Sequence, residues 1–139
     1  MSNRNFLLIL SVVCLGCIGC GGGNSGSVSG TAEYEGKPLP GGRVVFESKT
    51  STCVAKIENG KFEAKYKGSK SLPMGTYKVS VWPPAPEPKM NPKTMKLETV
   101  SSVDTSLYPK KYQSKLTSGL EFTLVPGSNV FDIELSGKK

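Results

Sequence analysis

The residues from 28 onward predict an all-β domain, an antiparallel two-sheet sandwich of about seven strands. Three observations carry that expectation. Short runs alternate apolar with polar residues, glycine or proline bounds each run, and no stretch of the body repeats its apolar residues with a 3.6-residue period. The chain has 139 residues, 37 % of them hydrophobic and 21 % charged, which is enough for one domain with a buried core.

Taken in order, Val28 to Tyr34 alternates and is broken by the turn-forming residues Glu35 to Gly42. Arg43 to Glu47 follows. The runs Cys53 to Glu58 and Lys61 to Tyr66 flank Asn59-Gly60, the strongest short hairpin signal. Leu72-Pro73-Met74-Gly75 leads into the alternating run Thr76 to Val81. Leu120 to Leu124 and Val130 to Leu135 close the domain, joined across Pro126-Gly127-Ser128-Asn129. The inward set is Tyr34, Val44, Phe46, Ile57, Phe62, Tyr66, Tyr77, Val79, Val81, Leu120, Phe122, Leu124, Phe131, Ile133 and Leu135. Gly36, Gly42 and Gly75 stand where a turn needs positive φ or close backbone approach.

The N-terminal residues read as an export segment. Arg4 is the only charge before Glu33, and an apolar run of about thirteen residues ends at Ile18. A bilayer-spanning helix needs roughly 20 apolar residues, and the glycines from Gly19 onward end the run too early. Leu15-Gly16-Cys17-Ile18-Gly19-Cys20 resembles a bacterial lipobox, in which a cysteine after a small residue is lipidated and becomes the mature N-terminus. Cys20, after Gly19 and before a Gly/Ser-rich tether, is the better candidate, and Cys17, after Gly16, is the alternative. The expected organisation is a lipoprotein signal peptide over 1–19, lipidated cysteine and tether over 20–27, and the β domain over 28–139. The lipid would hold the chain on a membrane without spanning it. Gly21 stands where an inner-membrane retention aspartate would be, which favours the outer membrane.

Removing residues 1–19 takes away Arg4, so 18 basic residues become 17 against 11 acidic, a net charge of +6. Sixteen of those 17 are lysines and one is Arg43, a composition unsuited to bidentate phosphate or base-edge recognition; nucleic acid is not an expected partner. Cys53, on the same strand face as Ala55 and Ile57, reads as a small buried hydrophobe.

Several turn motifs then resemble a known family. Val28-Ser29-Gly30-Thr31, Tyr34-Glu35-Gly36-Lys37-Pro38-Leu39-Pro40-Gly41-Gly42 and Pro73-Met74-Gly75-Thr76-Tyr77 are similar to the opening and the proline-glycine-tyrosine turn of carboxypeptidase regulatory-like domains. Tyr108-Pro109, Thr117-Ser118-Gly119-Leu120 and Gly127-Ser128-Asn129 resemble the ending of small bacterial lipoproteins of this kind. The resemblance implies a transthyretin-like (prealbumin-like) sandwich, a non-catalytic role and no established ligand or cofactor.

Some 38 residues separate Val81 from Leu120, far more than an ordinary connection. They open on Trp82-Pro83-Pro84 and include a short edge strand expected at Lys96 to Val100. Trp82 falls on the face opposite Tyr77, Val79 and Val81; with Tyr108 and Tyr112 it forms the candidate binding set, exposed aromatics able to stack on a polysaccharide or an envelope protein. The opposing reading makes Trp82 a plug at the sandwich's end. Three functions compete: a lipid-anchored binding or structural module, copper handling through Met74, Met90, Met95 and Cys53, and a transthyretin-like hydrolase. The third is disfavoured because the chain has no histidine.

Overall fold

Strand β1, Ser25–Tyr34, pairs along both of its edges, and the rest of the fold is arranged around it. The computed structural model describes residues 24–100 and 103–137. Among them are eleven further strands: β2 (Lys37–Pro38), β3 (Arg43–Glu47), β4 (Thr52–Glu58), β5 (Lys61–Glu63), β6 (Leu72–Pro73), β7 (Gly75–Trp82), β8 (Glu87–Met90), β9 (Leu97–Val100), β10 (Leu120–Leu124), β11 (Gly127–Val130) and β12 (Ile133–Leu135). Two 3-10 turns, Thr105–Leu107 and Lys110–Gln113, are the only helical elements among the described residues. The lipidation candidates Cys17 and Cys20 lie outside the described residues.

The main ladder runs β10-β7-β3-β4-β5-β1-β11, with β2, β6 and β12 also paired to β1. It curls into a sandwich-like shell, so that strands from its two ends meet: Phe122 of β10 lies 4.9 Å, centroid to centroid, from Phe131 beside β11. Phe46 of β3 sits at the centre, within 6.0–6.4 Å of Phe62, Tyr77, Phe122 and Phe131. The tilted and edge-on geometries suit the aromatic quadrupole. Asn59 (φ 49°) and Gly60 (φ 76°) make the expected hairpin turn, with Ile57 opposite Phe62. Gly36, Gly42 and Gly75 all adopt positive φ, as their turn positions require.

Ten of the fifteen expected core residues are buried, and Tyr34, Tyr66, Leu120, Phe122 and Phe131 pack against that core from partly exposed positions. Cys53 is buried on the face shared with Ala55 and Ile57, and its thiol donates to the Lys65 carbonyl at 2.9 Å. Tyr77 is among the largest fully buried side chains. Its hydroxyl donates to the Pro73 carbonyl at 2.6 Å and lies 3.1 Å from Ser51 Oγ.

The structure corrects the sequence expectation in four places. β1 starts at Ser25, three residues inside the expected tether, because Ser25 and Gly26 pair with Pro73 and Leu72 of β6. The pairing is not antiparallel throughout, since β11 and β12 both run parallel to β1. Gly127 to Asn129, expected as turn, are strand with Val130, and the expected run to Leu135 is interrupted at Phe131 and Asp132; the Asn129 side chain supplies the turn's hydrogen bonds, donating to the carbonyls of Ser27, Val125 and Gly127 and accepting from the Val125 N–H. Finally, the expected edge strand near Lys96 is β9, which pairs with β8 in a separate two-stranded sheet. Alternation reports which face of a strand is buried; it carries no information on direction or partner.

The parallel return demands Gly30, where any Cβ would collide with the Phe131 carbonyl. Between β11 and β12 the ladder is held by Asp132, whose carboxylate accepts from the Thr31 N–H at 2.9 Å and the Thr31 hydroxyl at 2.8 Å. Those two bonds, the hydroxyl's first, hold the Asp132 carboxyl below the ordinary 3.8.

Replacing Tyr77 by alanine is expected to cost about 3–5 kcal/mol in denaturant melts, against no more than about 0.5 kcal/mol for the exposed neighbour Lys78→Ala. Equal losses would contradict the observed register. Because the folded pKa of Asp132 is depressed, its stabilisation is complete above the unfolded value of 3.8 and is lost as pH falls through the lower folded value. Urea midpoints measured across that acid window should decline less steeply for Asp132→Asn than for the unaltered protein.

Candidate functional site

The fold has two distinct ends. Chain entry marks the first, where the Met74 N–H donates to the Asn24 carbonyl at 3.1 Å and β7 begins at Gly75. Trp82 marks the other, about 23 Å away at roughly 3.3 Å per residue along β7. The long excursion leaves from Trp82, so the candidate binding residues gather at the end remote from Asn24, where the described chain begins.

Their accessibility differs from expectation. Tyr108 is 1 % exposed and Tyr112 is 7 % exposed, so neither can stack on a ligand. Tyr108 packs over the 41–42 turn, donating its hydroxyl to the Gly41 carbonyl. A Cβ on Gly42 would lie 2.5 Å from the Trp82 carbonyl oxygen and 3.1 Å from Tyr108 Cε1, so glycine there permits the tyrosine's approach. Burial pushes the Tyr108 phenol pKa up. The Tyr112 hydroxyl accepts the Ser136 N–H at 3.3 Å, and Gln113 Nε2 donates to the Tyr108 carbonyl at 2.7 Å. The two tyrosines are the plug that closes this end. An excursion must return to the sheet, and its large apolar side chains are drawn to the open end of the core.

Trp82 is on the outer face, as alternation indicated, but it is half-buried rather than freely exposed. Its indole N–H donates to Ser80 Oγ at 3.2 Å, and the Arg43 guanidinium lies 5.6 Å from the ring centroid, a cation–π contact. This pair stands in a cleft of about 520 Å³ with Glu47, Ser80, Gln113 and Lys115, where Lys115 and Glu47 form a 3.0 Å ion pair.

On its other side Arg43 lines a second groove, of about 800 Å³, between the outer face of β4 and the proline-rich segment 84–88. Pro40, Pro84, Pro86, Pro88, Val54 and Val103 supply its apolar surface, and Arg43, Lys56, Glu58 and Glu87 its charges. Lys56 and Glu58 pair at 2.8 Å on the surface, each moving the other's pKa toward the charged form. Prolines present carbonyl acceptors without N–H donors, so Pro84, Pro86 and Pro88 give this side of the groove a stiff, acceptor-bearing wall that runs into β8. Beyond it, β8 and β9 form an exposed hairpin carrying Met90 and Leu97.

Sequence reading missed Arg43 as a site residue. Its only signal was that it is the one arginine after position 4; its juxtaposition with Trp82 comes from the β3–β7 register. The sulfur side chains considered for copper stand on separate elements: Met74 precedes β7, Cys53 is within β4, Met90 ends β8, and Met95 lies before β9. Cys53 is further removed from ligand chemistry because burial pushes its thiol up to about 11. Among the described residues no three His, Cys, Asp or Glu side chains gather as a metal site. Comparison of the chain with protein-family models, curated proteins and solved structures returns no match.

Trp82 is the chain's single tryptophan, so its emission isolates this cleft. Arg43→Ala should red-shift that emission and raise acrylamide quenching with little loss of stability. Tyr108→Phe, which strips the Gly41 carbonyl of its buried partner, should cost about 1–3 kcal/mol and leave the emission unchanged.

Proposed function

We propose that this chain is an exported, lipid-anchored, non-catalytic module of the cell envelope, with a transthyretin-like, carboxypeptidase regulatory-like domain that presents its Arg43–Trp82 end to an envelope protein or polysaccharide. The observation that carries the reading is the polarity of the fold. β1 begins at Ser25, five residues after Cys20, while both grooves with Arg43 in their walls lie at the far end of β7. An anchor at Cys20 and a binding surface around Arg43 therefore do not compete for the same face. The lipobox-like Leu15 to Cys20 supports the anchor, and the absence of an aspartate after Cys20 supports outer-membrane placement. The half-buried Trp82 with its stacked guanidinium, beside a proline-lined groove, supports recognition of an extended ligand with apolar and hydroxyl-bearing surface. The reading requires no cofactor.

Metabolic acyl labelling with mass spectrometry of the mature N-terminus is the test. Cys20→Ala should abolish labelling and release the protein from membranes with the β domain still folded, whereas Cys17→Ala should leave both labelling and attachment intact. An unlabelled mature chain would overturn the anchor.

A further inference from the structure

We infer that the end of the domain that receives the N-terminal segment is itself a membrane-contact surface, in which Lys49, Lys65, Lys67 and Lys70 rest on anionic phospholipid headgroups. The inference deepens the anchored reading and rests on it for orientation.

Strand register brings these side chains to the chain-entry end. Lys65 is bridged to Val54 in the first half of β4, and the Tyr66–Ser69 bridge closes a turn that carries Lys67 at its tip. Lys70 follows, and then β6 pairs Leu72 and Pro73 with Gly26 and Ser25. Lys49 lies in the connection between β3 and β4. That connection is tied to the same end through Ser51, whose hydroxyl is 3.1 Å from the Tyr77 hydroxyl, itself bonded to the Pro73 carbonyl. All four lysines are exposed.

The charge is not cancelled locally. Glu63 is engaged by Lys70 at 2.9 Å, and Glu47, at the end of β3, is engaged by Lys115 at 3.0 Å. Against the single carboxylate Glu63, the four lysines leave an excess of three positive charges. Val125, 53 % exposed, and Pro126 add an apolar corner where β10 turns into β11, next to Gly26. By contrast the remote end carries Glu33, Glu35, Glu58 and Glu134 among its basic residues.

The occupant follows from chemistry and reach. Lysines, as strongly hydrated point charges, suit diffuse attraction to a headgroup layer better than bidentate recognition of one phosphate. Between Cys20 and Ser25 the chain spans at most about 18 Å, so an anchored Cys20 keeps this end near the bilayer. A lipid chain combined with a basic patch gives firmer attachment than either signal alone.

The test uses the mature full chain, whose intact mass reports separately whether Cys20 carries lipid. Reconstituted into phosphatidylcholine vesicles with or without phosphatidylglycerol, it is probed by lysine acetylation footprinting. Lys49, Lys65, Lys67 and Lys70 should be protected only on the anionic vesicles and exposed again at high salt, while Lys37 and Lys93 react equally on both. If the mass shows no lipid, the anchor reading fails by itself, and sedimentation of the same chain with the two vesicle types decides the inference. Binding to anionic vesicles alone supports it, with about a five-fold loss expected for each lysine changed to glutamine. Equal footprints on both vesicles, no sedimentation with either, or protection by soluble poly(glycerol phosphate) as strong as that by vesicles would overturn it.

Discussion

The architecture depends on one strand being used from both sides. β1 meets β5, β6 and β2 along one edge and β11 and β12 along the other, so the first and last described strands of the domain are neighbours. That pairing is possible only because the backbones approach closely at Gly30, where the Phe131 carbonyl fills the space a side chain would need. Once the return is in place, Phe131 is delivered to Phe122 and Phe46, and the curled sheet closes around a connected aromatic core. Asp132 then saturates the Thr31 N–H, which the interrupted ladder would otherwise leave without a partner.

The excursion between β7 and β10 solves a different problem. A curled sheet is open at its ends, and the apolar side chains there would face water. Tyr108 and Tyr112 cover that opening, each with a backbone partner for its hydroxyl, so burial leaves no polar atom unsatisfied. Val103 and Leu107 pack against the core beside them, and the excursion's proline-rich segment and β8–β9 hairpin lie outside. Its prolines run beside β4 to form a groove wall, and its hairpin stands apart from the main sheet. A segment that looked like one candidate binding loop is thus divided into a structural cap, a groove wall and an exposed ribbon.

Electrostatics sort along the same axis. Charged side chains alternate with the core on the solvent face of the strands, and the ion pairs among the described residues, Lys56–Glu58, Lys70–Glu63 and Lys115–Glu47, lie at the surface, where such pairs contribute little to stability. Their distribution matters more than their count. Lys49, Lys65, Lys67 and Lys70 stand beside the entry of the chain with one carboxylate, Glu63, among them, whereas Arg43, which holds a place over Trp82, lies at the opposite end.

The sequence by itself determined the class of secondary structure, most strand positions and most of the core, because period-two alternation and Gly/Pro punctuation are local properties. β10 was legible at both boundaries, the Asn59-Gly60 hairpin at its turn, and Cys53 in its burial. What only the tertiary structure decided were the relations between distant residues: that 127–130 pair parallel with β1, that Tyr108 and Tyr112 turn inward, and that Arg43 meets Trp82. Each depends on which strand lies beside which. Alternation assigns a side chain to a face but not to a neighbour, and an aromatic in a long connection carries no local mark of whether the core's open end is within reach.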